Sequence, residues 1–377
     1  MPTLAELIMS GQVSFFSLSR HADVASVLRH PSMSSDQSHW EGQHLLTQAS
    51  QPPALAELMN HWMLFMDPPD HTRVRSLVNK AFTARSVERM RPRIQQITDD
   101  LLDPVAERGE MEVMEEFAFP LPIRVICELL NVPHEEHSRF REASQNLAAT
   151  LDIGEKPQEL LDEWEVHARP FVDYLKSLIE ERRRSPGDDL LSALIAATDQ
   201  EDRLTDGELL GTVSLVLGAG FETTMNLIGN AVYTLLRHPD QLARLREDPA
   251  LVSSAVEEVL RFEPPVQATA RVSLVDTQIG ETPVRCGQQG VVMLASANRD
   301  ADVFPEPETF DVSRSPNPHM TFGGGHHFCP GAALARLEGQ IAIGTLIQRF
   351  PNLELVTEAE WRQTVTLHGL KELRVRL

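Results

Sequence analysis

Apolar residues recur three and four positions apart over residues 73–82, 86–108, 121–131, 135–149, 159–184, 190–198 and 205–236, a spacing that predicts helices there. Alternation with period two predicts strands at 270–275 and 290–294, and a second pair near the end at 353–356 and 372–376. A further strand and helix are read at 14–18 and 22–29. Helical signals outnumber strand signals, so the expected fold is mainly α with minor β-sheet regions. No repeat, low-complexity tract or Gly/Ser linker divides the chain, and residues 1–377 are read as a single domain. Residues 298–325 hold four prolines and three consecutive glycines without helical period. A long irregular segment of this kind inside a compact domain is usually functional.

Composition narrows the class of function. The net charge of −21, from 34 basic and 55 acidic residues, disfavours nucleic acid and anionic membranes as partners. The three cysteines, Cys127, Cys286 and Cys329, are too few and too scattered for a disulfide framework, which suits a reducing compartment. The start, Met1 to Glu6, lacks a basic segment followed by an apolar core, so no secretory signal is read and a cytoplasmic protein is expected. Residues 209–236 are the most apolar stretch, but they include Glu222, Asn226, Asn230 and four glycines, which predicts a buried helix rather than a membrane span.

The irregular segment leads into Phe322-Gly323-Gly324-Gly325-His326-His327-Phe328-Cys329-Pro330-Gly331, after which a helix is predicted over 332–349. Glycines let the backbone approach a flat ligand and adopt positive φ. A cysteine just before a helix N-terminus has its thiolate favoured by the dipole and by free amide donors, so Cys329 is expected to ionise easily. Zinc would want more cysteine or histidine ligands at short spacing, whereas His326 and His327 are adjacent and no second cysteine is near. A lone thiolate suits the axial position of haem iron.

This loop resembles the haem-binding signature of the cytochrome P450 family. The match lies in a phenylalanine, glycines, a basic residue two before the cysteine and a glycine two after it. The resemblance implies haem b held between the Cys-bearing loop and a long central helix. Cys329 would be the axial ligand of the iron, His327 a propionate partner, Phe322 the residue packed beside the thiolate, and Gly331 part of the same signature.

Thr205-Asp206-Gly207-Glu208 reads as a capping box opening the long helix. From 209 to 236 its one formally charged residue is Glu222, and a buried carboxylate is costly unless partnered. A threonine bonding back to the preceding turn and a glutamate reaching out to solvent would be the structural alternative. The small residues Ala219 and Gly220 are read as permitting close approach of a ligand and a local widening of the helix. The run Ala219-Gly220-Phe221-Glu222-Thr223-Thr224 is similar to the oxygen-activating motif of the same family. By that resemblance Glu222 is the acid and Thr223 the alcohol that relay protons during activation of O2.

The segment Met66 to Arg75 opens a helix with acids and prolines at its head. By its likeness to the family's helix crossing the haem face, His71 and Arg75 would bind the propionates, with Arg271 doing so from another side. Glu258 and Arg261 match a structural pair that ties its helix to the segment before the cysteine. Residues 71–93 carry Arg73, Arg75, Lys80, Arg85, Arg89, Arg91 and Arg93 against Glu88, a local charge of +6. Such a patch would steer an acidic ferredoxin-like electron donor, itself served by a reductase.

Residues 34–64 are expected to cover the pocket, with Trp40, Leu45, Leu46, Trp62, Met63 and Phe65 suggesting a hydrophobic small-molecule substrate, though core packing would explain them equally. The lead before Ser14 is shorter than in soluble members, so the first helix is expected to be abbreviated or missing. The resemblance implies oxygen insertion, by hydroxylation or epoxidation, with natural-product biosynthesis as one setting. A peroxide-driven or rearranging haem-thiolate enzyme is the alternative within catalysis, and a haem-based sensor the alternative outside it.

Overall fold

The computed structural model describes residues 13–42, 52–133, 136, 147, 150, 158–197 and 202–377. The expected helix at 135–149, the abbreviated first helix, Leu45 and Leu46 lie outside the described residues, apart from isolated positions of that helix. The helices are α1 (His21–Arg29), α2 (Pro53–Met59), α3 (Asp70–Ala81), α4 (Ala84–Arg89), α5 (Arg91–Arg108), α6 (Pro120–Leu129), α7 (Gln158–Arg184) and α8 (Leu190–Ala196). They continue with α9 (Asp206–Arg237), α10 (Pro239–Glu247), α11 (Val252–Phe262), α12 (Leu294–Ala297) and α13 (Ala332–Arg349).

The helix expected over 86–108 as one element is divided at Met90 into the short α4, capped by Thr83, and α5. The Thr83 hydroxyl and Ser86 form a capping box at the head of α4, and α5 begins afresh with Pro92 in its first turn. Proline lacks the N–H and clashes with the preceding turn, so a helix running through 92 would be broken there.

The main sheet has the order β1-β7-β4-β2, with β1 (Phe15–Leu18), β2 (Met33–Ser34), β4 (Ala268–Ser273) and β7 (Gln289–Met293). β1 runs parallel to β7 from Phe15↔Gln289 to Leu18↔Val292, and β4 pairs with β7 antiparallel, placing Arg271 opposite Gly290. A second sheet joins β3 (Glu110–Glu112) and β8 (Glu354–Leu355) to the last strand, β11 (Arg374–Arg376). Two small hairpins complete the β structure, β5 (Thr277–Ile279) with β6 (Thr282–Val284), and β9 (Glu360–Trp361) with β10 (Leu370–Glu372).

The long helix α9 is the axis of the molecule. It starts at the expected capping box, Thr205 Oγ1 accepting from Glu208 N–H and the Glu208 carboxylate from Thr205 N–H. Helices α2, α6, α11 and α13 pack around it, and its residues are buried on nearly every face. A helix apolar all round belongs in a core. No described helix is long and apolar enough to cross a membrane. Trp62 is fully buried and its indole N–H donates to Ser214 Oγ on α9 at 2.9 Å, while Trp40 packs with Phe15 beside the main sheet. Both tryptophans are therefore core residues, and neither is evidence for a ligand.

Candidate active site

The loop before α13 is shaped by two constraints. Gly325 has φ +64°, and a Cβ there would fall 2.2 Å from the Leu28 carbonyl oxygen of α1, so only glycine fits. Cys329 N–H donates to Phe322 O at 3.0 Å, folding the loop back so that the cysteine stands at the head of α13. The Gly331 and Ala332 amides there, with Arg75 and Arg336, favour the thiolate, but burial outweighs them and pushes the Cys329 thiol up. The helix-head amides expected to favour the thiolate are present, and burial of the sulfur works against them. Cys127 is buried and pushed up to about 12, and Cys286 is exposed.

Around this loop the fold gathers basic side chains from three elements, the cations Arg75 on α3 and Arg271 on β4, with the imidazoles of His71 on α3 and His326 and His327 on the loop itself. The His71 ring centroid lies 4.2 Å from that of His327 and 5.1 Å from that of His326. Desolvation and mutual repulsion hold His71 down at about 4 and His327 at about 2. Arg271 is 6% exposed and burial lowers it to about 10. Its guanidinium bonds Thr269 Oγ1 at 3.2 Å and the Ala270 carbonyl at 2.7 Å. Arg75 donates to Phe328 O at 2.7 Å and to Asn79 Oδ1 at 3.1 Å.

Both ring nitrogens of His71 and the Nε2 atoms of His326 and His327 are buried and find no hydrogen-bond partner among the described residues. Asp67, the nearby acid, already accepts from the Ser34 hydroxyl and from Ser35 N–H. Buried donors and cations left this way are unfavourable. A ligand bringing two carboxylates, as haem does, would satisfy them, so the residues fit that group. Asp67, His326 and His327 also place possible ligand atoms within 4.8 Å of one another, but that set leaves the thiol out. A cleft of about 560 Å³ lies between α3 and the loop, lined in part by His71, Arg75, Ser76 and His326.

Two arginines absent from the sequence reading support the loop. Arg336, on α13, makes a bidentate pair with Glu257 at 2.7 and 2.8 Å and lies over the Phe322 ring at 4.4 Å. His319 holds the same carboxylate at 3.0 Å, and Glu257 is lowered to about 2. Arg314 joins Glu258 at 3.1 Å. Arg336 stands seven residues after Cys329, two turns along the same helix face, a spacing that could have flagged it. Arg314 had no local signal.

The second cluster is on α9. Between 208 and 232 the part-exposed positions of α9 are Val216, Ala219, Gly220 and Thr223, a stripe at helical spacing in its otherwise buried middle. Thr223 Oγ1 donates to the Ala219 carbonyl at 2.8 Å, and Thr224 Oγ1 to that of Gly220 at 3.1 Å. The helix is continuous here, so the expected widening is absent. Gly220 also serves packing, since a Cβ there would meet Ile126 of α6 at 3.0 Å. Phe221 is fully buried, edge-on to Phe119 at 4.8 Å. Glu222 is 7% exposed and does not reach out to water. It accepts from Arg362, and burial pushes its carboxyl up despite that partner.

The basic run at 71–93 is less bare than its composition suggests. Arg73 pairs with Glu208, Arg91 with Glu88 and Arg93 with Glu128, while Arg75 turns inward. Arg85 and Arg89 are exposed.

The family model described as Cytochrome P450 matches residues 11–366. The chain is 45% identical over 365 residues to Cytochrome P450 107B1 of Saccharopolyspora erythraea, covering 95% of this chain and 88% of that one. It is 44% identical over 316 residues to 6-deoxyerythronolide B hydroxylase of the same organism, covering 82% and 76%. Among solved structures, P450BioI in complex with an acyl carrier protein ligated to hexadec-9Z-enoic acid superposes with a TM-score of 0.90 at 39% identity. That match covers 97% of this chain and 92% of the other.

Proposed function

The chain belongs to the cytochrome P450 family of haem-iron monooxygenases, and from that premise we propose that it inserts one atom of O2 into a hydrophobic small molecule by hydroxylation or epoxidation. Haem carrying a cysteinate supplies an electron-rich iron at which the oxygen–oxygen bond is cleaved. In this reading the cofactor is haem b, Cys329 would hold its iron through the thiolate sulfur, and Phe322 would shield that sulfur. Arg75 and Arg271 bind its propionates as cations, and His71 and His327 as N–H donors, because buried carboxylates need charged or hydrogen-bonding partners. Gly331 keeps the sulfur's surroundings open, a Cβ there standing 3.8 Å from Sγ, and Ala219 keeps the facing stripe of α9 low.

Glu222 and Thr223 do the proton work. The carboxyl is raised by burial, which suits a group that must hold a proton and release it. The Thr223 hydroxyl stands on the part-exposed stripe and positions that proton. Electrons come from a ferredoxin-like donor and its reductase, with exposed Arg85 and Arg89 contributing to the docking charge. The overall charge of −21 disfavours nucleic acid and membrane partners, and the protein is read as a cytoplasmic single domain.

The observation that carries the proposal is the convergence of two arginines and three histidines, the latter with unpartnered buried nitrogens, around the Cys329 loop. The test is turnover of a panel of hydrophobic substrates, with ferredoxin and reductase, under isotopically heavy O2. One heavy atom in the product supports oxygen insertion. Product that carries no label overturns it.

A further inference from the structure

The partner of Glu222 comes from the far end of the chain. Arg362 Nη1 donates to Glu222 Oε1, and Nη2 lies 3.9 Å from Met225 Sδ one turn along α9. Arg362 stands at the end of β9, where its own N–H donates to Gly369 O at 3.0 Å across the hairpin.

Contacts at successive turns of α9 hold that hairpin in place. Gly369 lies against Asn226, so close that a Cβ there would fall 2.0 Å from Oδ1. Asn230 Nδ2 donates to the carbonyls of His368 and Glu263, each at 3.1 Å. Tyr233 meets Trp361 edge-on at 5.4 Å, and Trp361 stacks on His368 at 4.3 Å. His368 in turn bonds Glu263 at 3.0 Å. Asn226, Asn230 and Tyr233 follow Glu222 by one, two and three turns, so they form one stripe with it. The hairpin is pinned along this stripe, and Arg362 is delivered at its head.

The ion pair spans the boundary between interior and water, with 29% of the Arg362 side chain exposed against 9% of Glu222. Burial favours the neutral acid, and the charged group acting against it is Arg362. Thr223 is meanwhile committed to the Ala219 carbonyl. The carboxylate and the hydroxyl are adjacent in sequence, but each is held by a different partner.

We propose that Arg362 is a positioning residue for the reaction: it turns the Glu222 carboxylate toward the hairpin and holds it charged, and so sets when Glu222 carries a proton for Thr223 to use. This rests on the haem-thiolate reading above. Removing the guanidinium should leave the acid buried, neutral and released.

The test is infrared titration of the Glu222 carboxyl in holoprotein, its band identified by loss in Glu222→Gln, for the parent, Arg362→Gln and Arg362→Lys. The expected result is a midpoint raised by about 1–3 pH units in Arg362→Gln, the usual effect of losing an opposite charge at contact distance. Arg362→Lys should restore most of it. In Arg362→Gln, hydrogen peroxide released per electron should also rise, while the reduced, carbon monoxide-bound spectrum stays that of the parent. An unchanged midpoint in Arg362→Gln with that spectrum intact overturns the role of Arg362 alone. A parent lacking the thiolate spectrum overturns the haem reading instead, and the infrared midpoint still decides whether Arg362 governs Glu222.

Discussion

Glu258 and Arg261 stand one turn apart on α11 and form a bidentate ion pair, each contact 2.8 Å, with both side chains wholly shielded from solvent. The guanidinium also donates to the carbonyls of Asn298, Pro307 and Thr309, at 3.1, 2.8 and 3.1 Å. The carboxylate takes Arg314 at 3.1 Å and Asn317 Nδ2 at 3.1 Å. With Asp311 N–H, which donates to the same carboxylate at 3.0 Å, six points of the irregular segment between the sheet and Cys329 are fixed to one helix. A loop without helix or strand obtains its shape from these bonds, and the cysteine inherits its position from the loop.

Breaking that pair should destabilise the whole molecule. Removing one member of a buried ion pair costs about 3–5 kcal/mol; here Arg314 still faces Glu258, but the Asn298, Pro307 and Thr309 carbonyls lose their donor as well. Arg261→Ala should lower the unfolding free energy by that amount in urea titration. A loss below about 0.5 kcal/mol, the range of surface substitutions, would show that the segment does not depend on it.

Thr223→Ala should fold and bind haem like the parent, since it deletes one hydroxyl bonded within its own helix. Coupling should suffer, because positioned proton donors contribute roughly a hundredfold or more to such steps. We expect product per electron to fall by about tenfold or more, with the electrons appearing as hydrogen peroxide. Unchanged product and peroxide yields would remove Thr223 from the proton path.

Much of this arrangement is legible in the sequence, and the reason differs by element. The capping box at Thr205 and the unbroken apolar run after it specify α9 locally, and the glycines before Cys329 specify a tight approach locally. Residues such as His71 and Arg271 stand near recognisable helix and strand starts, though their convergence on the Cys329 loop is a property of the packed sheet. Arg362, Arg314 and Arg336 matter through partners 56 to 140 residues away, and no window of sequence holds both members. The surroundings of the Cys329 sulfur are legible only in part for a related reason. Amide donors at a helix start can be read from neighbours in the chain, whereas desolvation depends on everything that packs there. The packing of Gly220 against Ile126 of α6 likewise depends on a helix distant in the chain.

Glu338 makes stability depend on pH. It is buried on α13, its Oε2 has no partner among the described residues, and burial raises the carboxyl to about 8. Between about 4.5 and 8 the folded chain keeps a proton there that the unfolded chain has released. Stability is therefore full below the unfolded value and falls as pH rises through this window, by about 1.4 kcal/mol per unit. Glu338→Gln should flatten that slope in denaturation series taken across the window. An identical slope in parent and variant would place the proton elsewhere.

Every assignment around the loop depends on Cys329 being the ligand of haem iron, and the most direct measurement is the absorption spectrum of the dithionite-reduced protein with carbon monoxide, taken beside that of Cys329→Ser. A strongly red-shifted Soret band in the parent, lost in the variant, is the predicted result. Well-folded parent protein that holds no haem, or a variant that keeps the red-shifted band, would contradict it.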